Sequence, residues 1–237
     1  MAGRTLGSQE LSTELVHERL RDGILRGEFD PRVPISQVQL AARLGVSRTP
    51  LREALRMLQR EGLIDSEPNR RVRVKALSVT DLEQLYALRV MVEALAVRLS
   101  VPQLTHDDLE AMRAALADMD ELAKHRDLDA WESAHRTYHD LLRMHAGERV
   151  ARLARDLSDH TERYRRVYMG EPRAWTAAAE EHRAVADACR AGDPSLAAAQ
   201  LARHLARTAL SLMAAISPEH DPLPIREALR MVTAEAP

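Results

Sequence analysis

What most constrains this chain is its punctuation from residue 80 onward. Segments with apolar residues at a helical period follow one another to residue 216. Each is bounded by a capping residue, a glycine or a proline, and none alternates as a strand would. Thr80 with Glu83 and Thr105 with Asp108 read as capping boxes that open DLEQLYALRVMVEALAVRL and HDDLEAMRAALADMDELAKH. A third helix over about 128–146 stops at Gly147, and a fourth over about 148–169 stops at Gly170. A fifth follows Pro172 and stops at Gly192. A sixth starts at Asp193 and Pro194, an N-cap and a first helical residue, and runs to about residue 216. Six helices in succession can bury their apolar faces only against one another, so a helical bundle over 78–217 follows. The proline-bearing residues 218–237 read as a tail in which IREALRMV forms a loosely docked turn or two. Composition agrees: aromatic residues make up only 3%, and the helix formers Ala, Leu, Arg and Glu abound.

The first 77 residues are organised differently. Leu11, Leu15, Leu20, Ile24 and Leu25 keep near a 3.6-residue period as far as Gly27, and FDPRVPI then breaks the pattern. Ser36, with Gln39 three residues on, opens a helix of about 37–44 that ends at Gly45. Ser47 opens a third, RTPLREALRMLQREG, which ends near Gly62. Two helices around a glycine turn outline a helix-turn-helix. LIDSEPNRRVRVKAL then reads as two short strands around a Pro-Asn-Arg-Arg turn, a β-wing. The expected architecture is mostly α: a winged helix-turn-helix over 1–77, an all-α six-helix bundle over 78–217, and the tail 218–237.

Charge divides the same way. Residues 1–77 hold 14 Lys+Arg against 10 Asp+Glu, a net of +4; the remainder holds 20 against 26, a net of −6. A basic first third suits an anionic polymer, and the acidic remainder does not. In the third helix Arg48, Thr49 and Arg52 occupy the first turns, where a recognition helix meets base edges and phosphates. Arginine pairs bidentately with guanine, and threonine reaches a phosphate or a thymine methyl. Leu51, Leu55 and Leu58 take the inward face, while Arg56 and Arg60 read as solvent-facing. The single Cys189 excludes an internal disulfide, and no signal peptide opens the chain, so a reducing cytoplasm is expected. The longest apolar run, ALSLMAAI, falls well short of the roughly 20 residues a bilayer requires.

HRTYH, residues 135–139, places His135 and His139 four residues apart and so on one helical face. A metal uses that spacing. So do surface or hydrogen-bonded core histidines, and the residues alone leave both readings open in a chain with ten.

LGVSRTPLREALRMLQREGLI resembles the signature of the GntR transcription regulators, and the likeness extends over residues 11–75. It implies that Ser47, Arg48, Thr49 and Arg52 contact DNA. Two departures stand out. Val38 takes a position near the start of the second helix where members often carry arginine. Arg71 takes the wing-tip place of a glycine, so Arg70 or Arg71 becomes the cation offered to the minor groove. Residues 80–210, through LYALRVMVEALAVRL, HRTYHDLL, EEHRAVADACRAGD and ARHLART, resemble the FCD ligand-sensing domain of the FadR-type branch. Many members hold a divalent metal through an Asp and three His. By that resemblance His139, His182 and His204 take the three His positions and His135 takes the Asp position. Arg89 matches a cavity arginine that anchors an effector carboxylate; a salt bridge to Glu93, four residues on, is the other reading.

Replacing Asp by His leaves four neutral imidazoles, a set that favours Zn, with Ni next, over Mg, Ca or Mn. Ligation needs neutral rings, so metal affinity is expected to fall below about pH 6.5. The expected function is a ligand-responsive, homodimeric transcription repressor that binds a double-stranded operator and senses a small organic acid at the metal. The alternative is a metal-dependent hydrolase or lyase with an attached nucleic-acid-binding module. Against it, no general base stands at a fixed offset from the histidines, and Glu181, beside His182, is expected to point off the ligand face. A metal-free helical dimerisation domain is a third, plainer possibility.

Overall fold

The computed structural model describes residues 12–66 and 71–234. The chain divides after Ala76 into two units, each with its own apolar core.

In the first unit, Ser12 caps α1 (Thr13–Leu25), its hydroxyl accepting from the Leu15 N–H at 3.3 Å. A two-residue strand β1 (Ile35–Ser36) leads into α2 (Gln37–Leu44), which ends at Gly45 in the left-handed conformation, φ 67°. That conformation strains any residue with a Cβ, so glycine is what allows the tight turn into α3 (Arg48–Arg60). β2 (Ile64–Ser66) and β3 (Arg71–Val74) are antiparallel, with Ile64 opposite Val74. β1 pairs with the other side of β3, Ile35 opposite Val72, giving the order β1-β3-β2. β1 has no sequence signature, because two residues show no period. Ser36 and Ser47 sit at the N-caps of α2 and α3, but neither side chain bonds its own helix end, so the Ser36–Gln39 capping box is absent. Leu51, Leu55 and Leu58 of α3 are buried against Val16 and Leu20 of α1, as their spacing predicts.

The second unit is wholly helical among its described residues. α4 (Val79–Ser100) is capped by Ser78, whose hydroxyl accepts from the Asp81 N–H at 3.4 Å, two residues before the expected Thr80. A 3₁₀ turn (Val101–Gln103) leads to α5 (His106–His125), where the Thr105–Asp108 capping box forms as expected. α6 (Leu128–Arg143) starts at the Asp127 cap and stops three residues short of residue 146. The expected single helix over 148–169 is two, α7 (Glu148–His160) and α8 (Glu162–Met169). The break falls at Thr161, whose hydroxyl donates to the Ser158 carbonyl at 2.9 Å and accepts from Arg89 at 2.8 Å. Such side-chain bonds compete with the helical ladder. α9 (Pro172–Arg190) and α10 (Pro194–Ile216) follow, with Asp193 capping α10 through the Ser195 and Leu196 N–H groups.

The tail reading fails. Residues 223–233 form a regular helix, α11 (Leu223–Thr233), and belong to the helical unit. Ile225, Ala228 and Val232, spaced three and four apart, bury one face against α4 and α10. α4 is therefore wrapped by its neighbours, and polar side chains on it, Arg89 and Glu93 among them, are buried with the apolar ones. No described helix is long and apolar enough to cross a membrane.

Candidate metal centre and DNA-facing helix

The helical period of α6 turns His135 and His139 inward beside Trp131, Tyr138 and Leu142. α9 and α10 bring His182 and His204 to the same place. All four histidines are buried, and one ring nitrogen from each lies within 4.8 Å of the others. Tyr138 packs in the core, and its hydroxyl donates to the His182 carbonyl at 2.9 Å.

The outward ring nitrogens define the inward ones. His139 Nδ1 lies 3.2 Å from Glu93 Oε2, His182 Nδ1 lies 2.6 Å from the Ala178 carbonyl, and His204 Nδ1 lies 2.8 Å from Glu181 Oε2. Each partner only accepts, so each Nδ1 carries the proton and each Nε2 keeps a lone pair. The Nε2 atoms of His139 and His182 then face one another at 3.4 Å, lone pair to lone pair. His135 stacks on Trp131, ring centroids 4.7 Å apart, and both of its nitrogens are buried with no hydrogen-bond partner. Buried polar atoms are nearly always satisfied, and lone pairs that face one another without a donor are satisfied by a cation between them. The residues present fit a divalent metal.

Electrostatics agree. Burial pushes the His139 and His204 pKa values down to about 3, and those of His135 and His182 well below the usual imidazole value. Neutral rings are the form a metal binds. Burial raises the Glu93 carboxyl, but the Arg89 guanidinium and the His139 ring outweigh it and hold the carboxyl below its ordinary range.

A cavity of about 10 Å³ adjoins the cluster, lined by Tyr86, Arg89, Trp131, His135, Arg165 and His204 among others. Arg89 pairs with Glu93 at 2.6 Å, so the salt bridge exists, and the same guanidinium borders the cavity. Arg165 is held by Glu132 at 2.8 Å, yet its Nη1 is buried and unpartnered, as is the Tyr86 hydroxyl. Sequence reasoning missed Tyr86 and Arg165. It also misjudged Glu181, whose carboxylate turns toward His204 rather than away from the ligand set. The contact joins α9 to α10, and no spacing within one helix signals it.

In the first unit Ser47, Arg48, Thr49 and Arg52 are exposed at the start of α3, whose first turn holds no acidic residue. Among the described residues, Arg52 makes a 3.8 Å ion pair with the half-exposed Glu53. Val38 is 56% exposed near the start of α2. Arg71 is exposed at the head of β3, opposite Ser36, rather than in the turn itself. Arg70 lies outside the described residues.

Comparisons with known proteins place each unit in a family. The family of bacterial regulatory proteins, gntR family, matches residues 12–74, and the FCD domain matches residues 84–207. The probable D-xylose utilization operon transcriptional repressor of Paenarthrobacter nicotinovorans is 31% identical over 223 residues, covering 84% of this chain and 89% of its own. A putative GntR transcriptional regulator from Rhodococcus sp. RHA1 is 27% identical in a solved structure with TM-score 0.72, covering 86% of this chain and 98% of that one. E. coli McbR/YncC shares the fold, with TM-score 0.74 at 20% identity over 86% of this chain and 97% of that one. The first two are named as transcription regulators, so the hydrolase or lyase alternative falls. The chain belongs to the GntR family of bacterial transcription regulators and carries an FCD domain.

Proposed function

We propose that this regulator is a homodimeric repressor that senses a small organic acid at a metal held by His135, His139, His182 and His204, and that the acid releases it from its operator. The observation that carries the reading is the convergence of one ring nitrogen from each of four buried histidines, with the His139 and His182 Nε2 atoms facing each other and both His135 nitrogens unpartnered. Four imidazoles favour Zn, with Ni next. A cation held there would supply the positive charge on which the lone pairs converge and Lewis acidity toward a ligand oxygen. The chain's own groups supply the rest. Arg89 and Arg165 offer two guanidinium groups at the cavity wall, and the free Tyr86 hydroxyl and Arg165 Nη1 offer hydrogen bonds that a carboxylate accepts. The cavity has room for about one water, so an acid enters only as these side chains move apart. That opening is the difference between two states on which an effector acts.

On the DNA side, Ser47, Arg48, Thr49 and Arg52 read the major groove and its phosphates, with Arg71 of the wing at the minor groove. Dimerisation rests on α4. Leu88, Leu95 and Leu99 are 53%, 49% and 42% exposed, with half-buried Val92 between them. Their spacing is that of a helix–helix seam, and a second copy covers it. Repressor names among the relatives support repression, and a cytoplasmic location follows from the role.

Native mass spectrometry of protein purified without chelator tests the reading at once. The expected species is a dimer with one zinc or nickel per protomer. Metal-free protein would overturn the sensor site, and a monomer would overturn the α4 seam.

A further inference from the structure

Four neutral imidazoles bring no negative charge to a dication, yet two carboxylates stand directly behind the ring. Glu93 Oε2 lies 3.2 Å from His139 Nδ1, and Glu181 Oε2 lies 2.8 Å from His204 Nδ1. Both come from helices other than those carrying the ring they touch: Glu93 from α4 toward α6, Glu181 from α9 toward α10. Each has its second oxygen held by an arginine. Arg89 takes Glu93 Oε1 at 2.6 Å, and Arg207 pairs with Glu181 Oε1. His182 has only the neutral Ala178 carbonyl behind it, and His135 has nothing.

We propose that Glu93 and Glu181 are outer carboxylates of the histidine centre. Each fixes the Nδ1–H tautomer of the ring it touches, aims that ring's Nε2 inward and makes it a stronger donor. Together they supply, one bond further out, the anionic character that the position of His135 lacks. A carboxylate behind a ligating histidine raises its basicity and sets its orientation, and loss of such a partner weakens metal binding about 10- to 100-fold. The two differ in what restrains them. Glu93 is shared with the fully buried Arg89, while Glu181 is shared with Arg207, which is about half exposed. Glu181 is therefore the carboxylate whose charge a surface substitution can tune. The inference rests on the metal reading above.

The test is a chelator-competition titration of zinc into the metal-free full-length protein. Glu181→Gln keeps an acceptor oxygen for the His204 Nδ1–H and removes the charge; its zinc dissociation constant should rise about tenfold. Arg207→Ala removes the cation that competes for Glu181, so zinc should bind more tightly. That sign separates the proposal from a plain bracing role, because losing a brace weakens binding. Melting of the metal-free variants checks folding, and if Glu181→Gln misfolds, Arg207→Ala carries the test alone. Unchanged affinity in Glu181→Gln, or unchanged or weaker affinity in Arg207→Ala, overturns the proposal. Wild-type protein that binds no zinc overturns this inference and the metal reading together; wild-type binding with indifferent variants overturns this one only.

Discussion

The four histidines show how one residue type serves two demands. Buried without a cation, each imidazole must stay neutral, and burial brings the His139 and His204 pKa values to about 3. In the unfolded chain the same rings take up protons near pH 6.5. Between those values the unfolded state binds protons that the folded state refuses, so stability falls as pH falls, by up to about 1.4 kcal/mol per pH unit for each histidine affected. Metal-free protein should thus lose urea resistance from pH 7.5 to pH 5, measured as a falling denaturation midpoint in excess chelator. A flat midpoint would mean that these rings are not buried as described. The same burial moves proton competition for the metal in the folded chain below the ordinary imidazole range that the sequence suggests. His182→Ala removes the most enclosed of the four rings and one of the facing Nε2 atoms. It should abolish stoichiometric zinc retention after dialysis, and retention at wild-type level would exclude His182 as a ligand. At this scale the sequence carried the histidines only through resemblance. Their i,i+4 spacing was visible, but convergence of α6, α9 and α10 on one point is a property of packing. Glu181 and Arg165 were illegible for the same reason: each matters through a partner on another helix.

Among the elements, legibility tracked local chemistry. The Thr105–Asp108 box and the Asp193–Pro194 start both depend on atoms within three residues, and both form as expected. The reading failed where a distant contact decided the outcome. The helix over 148–169 breaks because Thr161 answers to Arg89 of α4, 72 residues away. The prolines before α11 suggest a loose turn, yet Pro222 and Pro224 sit at its start, where the missing N–H costs nothing. Its burial makes a quantitative claim. Ile225 is fully buried against the main core, so Ile225→Ala should cost the helical unit about 2–5 kcal/mol in urea denaturation. A loss below about 1 kcal/mol, the scale of an ordinary surface change, would restore the loosely docked tail.

For the whole molecule, the basic and acidic halves mark a division of labour that net charge conceals. The two units have separate cores, so damage to the DNA-facing helix should leave the sensor intact. Arg52→Ala tests this. Its side chain is exposed and only weakly paired, so removal leaves no buried charge and should cost little stability. If Arg52 makes a bidentate contact with guanine, the loss is about 1–3 kcal/mol per half-site. Two half-sites in a dimer compound it, which should reduce specific operator binding to near the non-specific level at fixed salt, while dimer mass and metal content stay at wild-type values. Salt dependence separates base reading from phosphate contact: a lost base contact relaxes sequence preference, whereas a lost phosphate contact weakens all sequences alike and flattens the salt slope by about one charge. Arg52→Ala with unchanged operator affinity would remove the recognition-helix assignment and leave the histidine centre standing, because the two rest on different units and different chemistry.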